Sequence, residues 1–359
     1  MKSIILSKYG APEVLKVKEL KDPEPLENQI RVDVHYAGIN FAEIMARMKL
    51  YPGGPKPGEI LGGEISGIVN KIGKNIKGIK IGDKVMGLTL NGSYSSQTCL
   101  DLNSIIPIPE NFQLDEAAAF PVTYITAYMM MFDLGNIQDG DTFLIHGAGG
   151  GAGTAAVQIA KTKNIKIIGT SSKWKHKEDV PIITSSKWKH KALKQLGVNL
   201  CIDYRKDDFK KIILDYTKGK GVDLIIDPIG AKNWKSSFDV LAKMGKIVIY
   251  GNQNFVKGDK LNPLVAIKEL YSMPKYKPMD LMSNNKSVMG FHLGRLKGYE
   301  WKIKRSIDNL VRLVKKNKLH PIIDKKFSYK EAHLAHRYIQ ERKNFGKVLL
   351  DFTQEHERI

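Results

Sequence analysis

The stretch "DTFLIHGAGGGAGTAAVQIAK", residues 141–161, constrains the fold more than any other. A short apolar run passes directly into glycines, and the glycines pass directly into a helical pattern. Gly147, Gly150 and Gly153 recur every third residue, with Gly149 and Gly151 between them. That arrangement suits a dinucleotide. One glycine permits a tight turn, one lets backbone approach a pyrophosphate, and one lets helix and sheet pack closely. The helix N-terminus then offers unpaired N–H groups and the positive end of a dipole. Ala148, Gly149, Gly150, Gly151, Ala152 and Gly153 are therefore expected to hold the cofactor phosphates.

The surrounding sequence extends the pattern. Strand-like runs "TFLIH" (142–146), "IKIIGT" (165–170), "NLCID" (199–203), "VDLIID" (222–227) and "KIVIYG" (246–251) alternate with helical stretches such as "TAAVQIAKTK" and "KHKALKQLG". Apolar strands alternating with helices predict a doubly wound parallel sheet, the Rossmann arrangement. Before this lies a region of short β-type runs, "QIRVDVHYAGI", "EISGIVNKIG" and "DKVMGL", punctuated by Gly and Pro turns, which reads as a β-rich, barrel-like domain. The tail changes style again. "KRSIDNLVRLVKKNK" places Ile307, Leu310, Val311 and Val314 at helical spacing. Ser328 and Glu331 have the spacing of a capping box that opens a second helix. "KVLLDF" predicts a last strand, so the tail is expected to complete the first domain. The expected boundaries are 1–122 with 292–359, and 123–291.

Cofactor choice is read at the end of the second strand. An NAD site places a carboxylate there, ~20 residues after the glycines, on the ribose 2′-hydroxyl. This chain has Thr170, Ser171, Ser172 and Lys173 instead, and its first acids, Glu178 and Asp179, come later. Hydroxyls and a cation suit a 2′-phosphate, so NADPH is expected.

Composition narrows the setting. Fifty-seven Lys and Arg against 37 Asp and Glu give a net charge of +20. Such a charge suits an anionic partner, either an acidic membrane face or nucleic acid, or simply many solvated Lys faces. The Lys residues are spread along the chain without a recognised nucleic-acid motif, which argues against nucleic acid. No apolar run approaches the ~20 residues of a membrane span, and "MKSIILSKYGAPEVL" lacks the apolar core of a signal peptide. Two cysteines, Cys99 and Cys201, are too few for a disulfide framework. A cytoplasmic protein, peripheral to membranes if it meets them, is the expectation.

The runs "AGINFAEIMARMKLYP", "PGEILGGEISGIV", "GDKVMGL", "AAAFPVTYITAYMMMF" and "HGAGGGAGTAAVQIAK" resemble, in order and spacing, the medium-chain dehydrogenase/reductase superfamily in its zinc-free, zeta-crystallin-like quinone oxidoreductase branch. "TYITAYMMMFDLGNIQDG", "GVDLIIDPIG", "GKIVIYGNQN", "MGFHLGRL" and "NFGKVLL" resemble the vesicle amine transport protein-like subgroup. The resemblance covers nearly the whole chain. It implies a GroES-like catalytic domain beside the Rossmann domain and a homodimer. It also implies hydride transfer from NADPH to a quinone or α,β-unsaturated carbonyl.

The zinc enzymes of that superfamily carry Cys where this chain has Asn40, and Gly-His-Glu where it has Gly62-Gly63-Glu64. Without thiolate and imidazole no tetrahedral catalytic zinc site can be assembled, so no metal is expected. His333 and His336 in "HLAH" have no third ligand nearby and read as a solvated helix face. By resemblance, Asn40 and Tyr51 line the substrate side of the nicotinamide and Thr126 sits against the ring. Tyr204 runs along the cofactor, and Gly251, Asn252 and Phe291 border the nicotinamide. Asn344 and Gly346 make a C-terminal contact. Tyr51 is the candidate proton donor, with water as the alternative. Cys99 reads as a small buried side chain rather than a nucleophile, since no base is evident beside it.

The octapeptide TSSKWKHK occurs at 170 and again at 184, an offset of 14 residues. The first copy stands where the 2′-phosphate loop is expected and the second leads into the following helix. A tandem duplication of that segment is the simplest account. A basic, Trp-bearing finger for a membrane surface is the functional alternative. The rival function for the whole chain is an NADPH-binding peripheral membrane or vesicle protein with little turnover.

Overall fold

The computed structural model describes residues 1–171 and 188–357. Ser172, Lys173 and the rest of 172–187 lie outside the described residues.

Strands β1 (Lys2–Leu6), β2 (Leu15–Glu19), β3 (Gln29–Ile39), β4 (Glu64–Ile72), β5 (Lys84–Leu88), β6 (Gln97–Asp101) and β7 (Ile105–Pro107) come first. Strands β8 (Thr142–His146), β9 (Lys166–Ser171), β10 (Leu200–Asp203), β11 (Val222–Asp227), β12 (Leu241–Ile249) and β13 (Ser287–Gly290) follow, and β14 (Ile323–Ser328) and β15 (Lys347–Asp351) close the chain. Two compact units result. One comprises Met1–Ile125, Val256–Leu261 and Leu296–Ile359; the other comprises Thr126–Phe255 and Asn262–Arg295.

The first unit is built on β3, which pairs antiparallel with β4, with β6 and with β15. Ile30, Val32 and Val34 alternate into the core while Arg31 and Asp33 stay half-buried, the period-two pattern of a strand with one face covered. The C-terminal strand β15 lies against β3 with Val348 opposite Ile39. Residues more than three hundred positions apart thus become neighbours. The helix Glu300–Lys315 buries Leu310 and Val314 completely and Ile307 and Val311 in part. Ser328 caps the turn through Lys330 rather than, as expected, through Glu331. Ser328 Oγ accepts the Lys330 N–H at 3.4 Å, but Tyr329–Glu331 make a 3-10 turn before the helix Ala332–Gln340 begins. Strand β14 stays paired with β15 as far as Ser328, so the chain must turn tightly to enter the helix.

The second unit holds one six-stranded sheet in the order β10-β9-β8-β11-β12-β13, every neighbouring pair parallel. Counted from its own first strand, that order is 3-2-1-4-5-6, the doubly wound arrangement with its switch point between β8 and β11. Leu144, Ile168, Ile225 and Ile247 sit in register across its middle and are fully buried. All five residues of β8 are buried, because helices cover both faces of a parallel sheet. Strand β12 begins five residues earlier than "KIVIYG" suggested, at Leu241. Gly245 makes the early start feasible: a Cβ there would lie 2.8 Å from the Ala242 carbonyl oxygen.

Candidate active site

Each parallel strand of the second unit ends at the same edge, and the predicted cofactor residues follow from that. After β8 the chain turns through Gly147–Gly149, and the helix Gly151–Lys161 starts immediately. Gly147 takes φ of 69°, a left-handed conformation that favours glycine, and its carbonyl accepts the Gly150 N–H at 2.9 Å. The first intrahelical bond runs from Thr154 N–H to Gly150. The N–H groups of Gly151, Ala152 and Gly153 therefore belong to the first turn, whose donors have no partner within the helix. Gly153 has a different task. A Cβ there would stand 2.3 Å from the Gly147 carbonyl oxygen, so only glycine lets the helix pack this close to the turn. At Gly150 the nearest atom to such a Cβ is 3.4 Å away, an ordinary contact.

Beneath the loop runs a chain of hydrogen bonds. His146, at the end of β8, has Nδ1 3.0 Å from Thr170 Oγ1 and Nε2 3.0 Å from Ser237 Oγ. Ser237 donates to Asp227 Oδ2 at 2.8 Å, and Asn233 donates to the same oxygen at 2.6 Å. Because Ser237 has given its proton to the carboxylate, it must accept from His146 Nε2–H. Nδ1 then accepts from the Thr170 hydroxyl. Burial pushes the His146 pKa below its usual value against the pull of Asp227, which keeps this ring neutral. Thr170 Oγ1 also receives the Gly147 N–H at 3.4 Å. The Thr170 hydroxyl thus faces inward and ties β9 to the glycine turn. Its neighbour Ser171 is 4 % exposed, and its hydroxyl has no partner among the described residues.

The remaining residues of this edge fall where the strands stop. Tyr204 follows β10 and is half-buried, and Phe291 follows β13 with its N–H on the Ile249 carbonyl at 2.9 Å. Gly251 and Asn252 follow β12, and a Cβ at Gly251 would touch Pro228 at 3.4 Å. Asn252 is 7 % exposed, yet neither Oδ1 nor Nδ2 has a hydrogen-bond partner among the described residues. A buried carboxamide with both ends unmet is costly unless a bound molecule supplies the partners. Thr126 is buried in the helix Pro121–Tyr128.

Asn40, Tyr51, Asn344 and Gly346 belong to the first unit. Asn40 follows β3 as the N-cap of the helix Phe41–Arg47, and Tyr51 lies half-buried at a bend after that helix. Asn344 Nδ2 donates to the Gly346 carbonyl at 2.8 Å. Gly346 has φ of 91°, and a Cβ there would lie 2.4 Å from the Ile322 carbonyl oxygen. The register of β15 on β3, with Val348 opposite Ile39, brings Lys347 beside Asn40.

Around Asn40 the structure adds residues that the sequence did not single out. Lys347 Nζ lies 2.5 Å from Glu64 Oε1 and donates to Asn40 Oδ1 at 2.5 Å. Asn40 Nδ2 donates to Glu64 Oε1 at 2.9 Å, and its backbone N–H donates to Glu43 Oε2 at 2.7 Å. Glu64 is fully buried and Lys347 nearly so. Burial pushes the Glu43 carboxyl up to about 7, against the pull of Lys347. Asn40 and Gly63 offer neither thiolate nor imidazole, and an ammonium group lies against Glu64. This donor set does not fit a tetrahedral zinc ion. No group of three or more metal-ligating side chains occurs among the described residues.

His336 requires a correction. It is fully buried rather than solvated, with Nε2 3.2 Å from the Tyr94 hydroxyl, and burial holds its pKa well below the usual value. The helix Ala332–Gln340 turns this face onto the core, where Arg47 is also fully buried and bonds the Gly10 carbonyl and Gln340. Cys99 is half-buried; burial pushes its thiol up, which disfavours the nucleophilic thiolate. No helix among the described residues is long and apolar enough to cross a membrane.

Residues 26–110 match the alcohol dehydrogenase GroES-like domain, and residues 196–350 match the zinc-binding dehydrogenase model. The chain belongs to the medium-chain dehydrogenase/reductase superfamily. Within it, the chain is 34% identical over 351 residues to the synaptic vesicle membrane protein VAT-1 homolog of Danio rerio, covering 97% of this chain and 69% of the relative. Among solved structures, Escherichia coli quinone oxidoreductase complexed with NADPH superimposes with a TM-score of 0.82 at 28% identity, covering 98% of this chain and 100% of that one. The CurK enoyl reductase superimposes with a TM-score of 0.80 at 26% identity, covering 98% of each chain. The fold is thus an oxidoreductase fold of the nicotinamide-dependent kind.

Proposed function

We propose that this chain is a metal-free NADPH-dependent oxidoreductase that transfers hydride to a quinone or an α,β-unsaturated carbonyl. The observation that carries the reading is the strand-end edge of the parallel sheet. It combines a glycine turn, a helix N-terminus, and in Asn252 a buried carboxamide with both ends unmet. In this reading the N–H groups of Gly151, Ala152 and Gly153 receive the pyrophosphate, with Ala148, Gly149 and Gly150 leaving room for it. Asn252, with Gly251 and Phe291, faces the carboxamide end of the cofactor, and Tyr204 runs along it. Ser171, followed in sequence by Ser172 and Lys173, receives the 2′-phosphate. No acid stands at the end of β9 to favour the bare ribose of NADH.

Asn40, Tyr51 and Thr126 are assigned to the substrate side, with Asn344 and Gly346 at the C-terminal contact. The bound cofactor supplies the hydride. The protein's part is to orient the rings and exclude water. The E. coli quinone oxidoreductase and the CurK enoyl reductase support a conjugated carbonyl as acceptor. The test is NADPH oxidation by the purified protein against a panel of quinones and enals, with NADH in parallel. Absence of turnover with every member would refute the enzymatic reading.

A second reading, an NADPH-binding protein peripheral to an acidic membrane, draws on one surface. On the helix Glu300–Lys315 and just before it, Trp301 and Tyr299 are 58% and 53% exposed, with Lys302 and Arg305 over the rings. Exposed aromatics among cations suit an anionic lipid interface. Co-sedimentation with phosphatidylserine vesicles that high salt abolishes would favour it.

A further inference from the structure

We infer that the buried Lys347–Glu64 ion pair positions the Asn40 carboxamide, and that it organises the substrate side where related dehydrogenases use a metal. The inference rests on the assignment of Asn40 to that side. Three polar groups form a closed ring. The Asn40 oxygen receives Lys347 Nζ at 2.5 Å, the Asn40 nitrogen donates to Glu64 Oε1 at 2.9 Å, and Lys347 meets Glu64 Oε1 at 2.5 Å. The ring has only one polarity. Rotating the carboxamide by half a turn would set its NH2 against the ammonium and its oxygen against the carboxylate. Asn40 is therefore held in one orientation. It keeps one amide hydrogen for another molecule, while its oxygen is turned toward Lys347 and the Glu43 N–H.

The surroundings fit that purpose. Glu64 Oε2 receives the Val122 N–H at 2.8 Å, which fixes the carboxylate from its other side. A Cβ at Gly38 would stand 2.5 Å from Glu64 Oε1, so the glycine of "AGIN" leaves the space this carboxylate occupies. Lys347 is delivered by the β15–β3 register. A buried ion pair is a poor source of stability, since apolar residues of similar size often serve as well or better. Directional control of a neighbouring side chain is something apolar residues cannot supply.

The test uses full-length protein with 15N-asparagine labelling, and the Asn40 side-chain NH2 signals are identified by their loss in Asn40→Ala. Lys347→Met removes the ammonium, and Lys347→Arg keeps a cation. Lys347→Met with Glu64→Gln keeps the core neutral, in case a lone buried Glu64 prevents folding. The Asn40 amide signals should shift and exchange faster with water in whichever Met variant folds, and should stay near their wild-type positions in Lys347→Arg. Turnover should fall ~10- to 100-fold in the Met variants. NADPH affinity should remain unchanged, and Lys347→Arg should restore part of the rate. In the Asn40→Ala background, Lys347→Met should lower the rate no further. Unchanged Asn40 signals without Lys347, or additive losses in the double variant, would overturn the proposal. If the wild type shows no turnover, the enzymatic reading fails, while the amide signals still decide whether Lys347 fixes Asn40.

Discussion

The two units bury polar groups in different ways. In the sheet unit the network is neutral at its centre: Thr170, His146 and Ser237 pass hydrogen bonds in one direction to Asp227. In the other unit the Glu64–Lys347 ion pair brings charge into the core around one side chain, Asn40, with the Glu43 carboxyl bonded to its backbone N–H. The first network ties strand ends together and so shapes a backbone cradle. The second fixes the direction of a carboxamide. A cradle for a pyrophosphate needs N–H groups held in place, which neutral hydrogen bonds can do. A single amide that must not flip needs partners of opposite sign on its two ends.

The largest effects should come from the glycine turn and should separate shape from binding within the sheet unit. Gly153→Val drives a side chain into the Gly147 carbonyl, so the variant should be insoluble or lose its cooperative unfolding transition. Gly150→Val meets only an ordinary contact and should fold with nearly unchanged Tm. Its side chain would block the close approach of pyrophosphate, and NADPH affinity should fall at least ~100-fold, equivalent to about 3 kcal/mol. Unchanged affinity in folded Gly150→Val, measured by nucleotide fluorescence, would remove the glycine turn from the site.

The ionic unit should show its character in pH dependence. The Glu43 carboxyl titrates at about 7 in the fold against 4.5 when unperturbed. Because the folded value is raised, the folded state holds the proton more tightly, and stability falls as pH rises from 4.5 to 7. The loss is complete above that window and amounts to ~3 kcal/mol. Glu43→Gln keeps an acceptor for the Asn40 N–H and should be more stable than wild type at pH 8, with the advantage vanishing at pH 4. Urea denaturation at both pH values checks this. Equal stabilities at pH 8 would show that Glu43 is not held protonated by burial.

The neutral network should respond in the opposite direction. The folded pKa of His146 is depressed, so its contribution is present above 6.5 and is lost as pH falls below that value. His146→Leu should cost ~1–3 kcal/mol at pH 7, because the Thr170 hydroxyl loses its acceptor. It should also weaken NADPH binding through the glycine turn and flatten the acid side of the stability profile. Loss of stability with full NADPH affinity would confine His146 to packing.

What the sequence revealed and what it hid follow the same division. The parallel strands were legible because burial on both faces turns them into apolar runs, and "TFLIH" and "VDLIID" coincide with β8 and β11. The glycine turn was legible because its residues are contiguous. The ring around Asn40 was not, because Glu64 and Lys347 lie 283 positions apart and meet only through strand register. Gly38 was the one local hint, a glycine whose reason is a carboxylate from another strand. His336 was misread for a similar cause. Two histidines at helical spacing look solvated until the distant Tyr94 is known to face one of them. Thr170 was expected to face the 2′-phosphate, but its hydroxyl bonds to His146, and among the described residues beside it the buried Ser171 hydroxyl is unmet.

The smallest effect is expected from the doubled phrase. The second copy's Trp188-Lys189-His190-Lys191 forms the start of the helix Trp188–Leu196, and Thr170 and Ser171 of the first copy end β9. Deleting Trp174 to Lys187 joins TSSK to WKHKALKQLG and leaves one complete copy between the strand and the helix. Every group assigned to the 2′-phosphate, Ser171, Ser172 and Lys173, is retained, as is the Thr170 tie to His146. A charge-assisted hydrogen bond contributes ~1.5–3 kcal/mol. One retained contact would therefore favour NADPH over NADH by roughly 10- to 100-fold. Shortening the connection changes loop-closure entropy by under ~1 kcal/mol, so Tm should move by only a few degrees. NADPH and NADH titrations of both forms should give the same preference. If the shortened protein folds but no longer distinguishes the two nucleotides, the duplicated segment is part of the cofactor site, and the neutral network alone does not define the cradle.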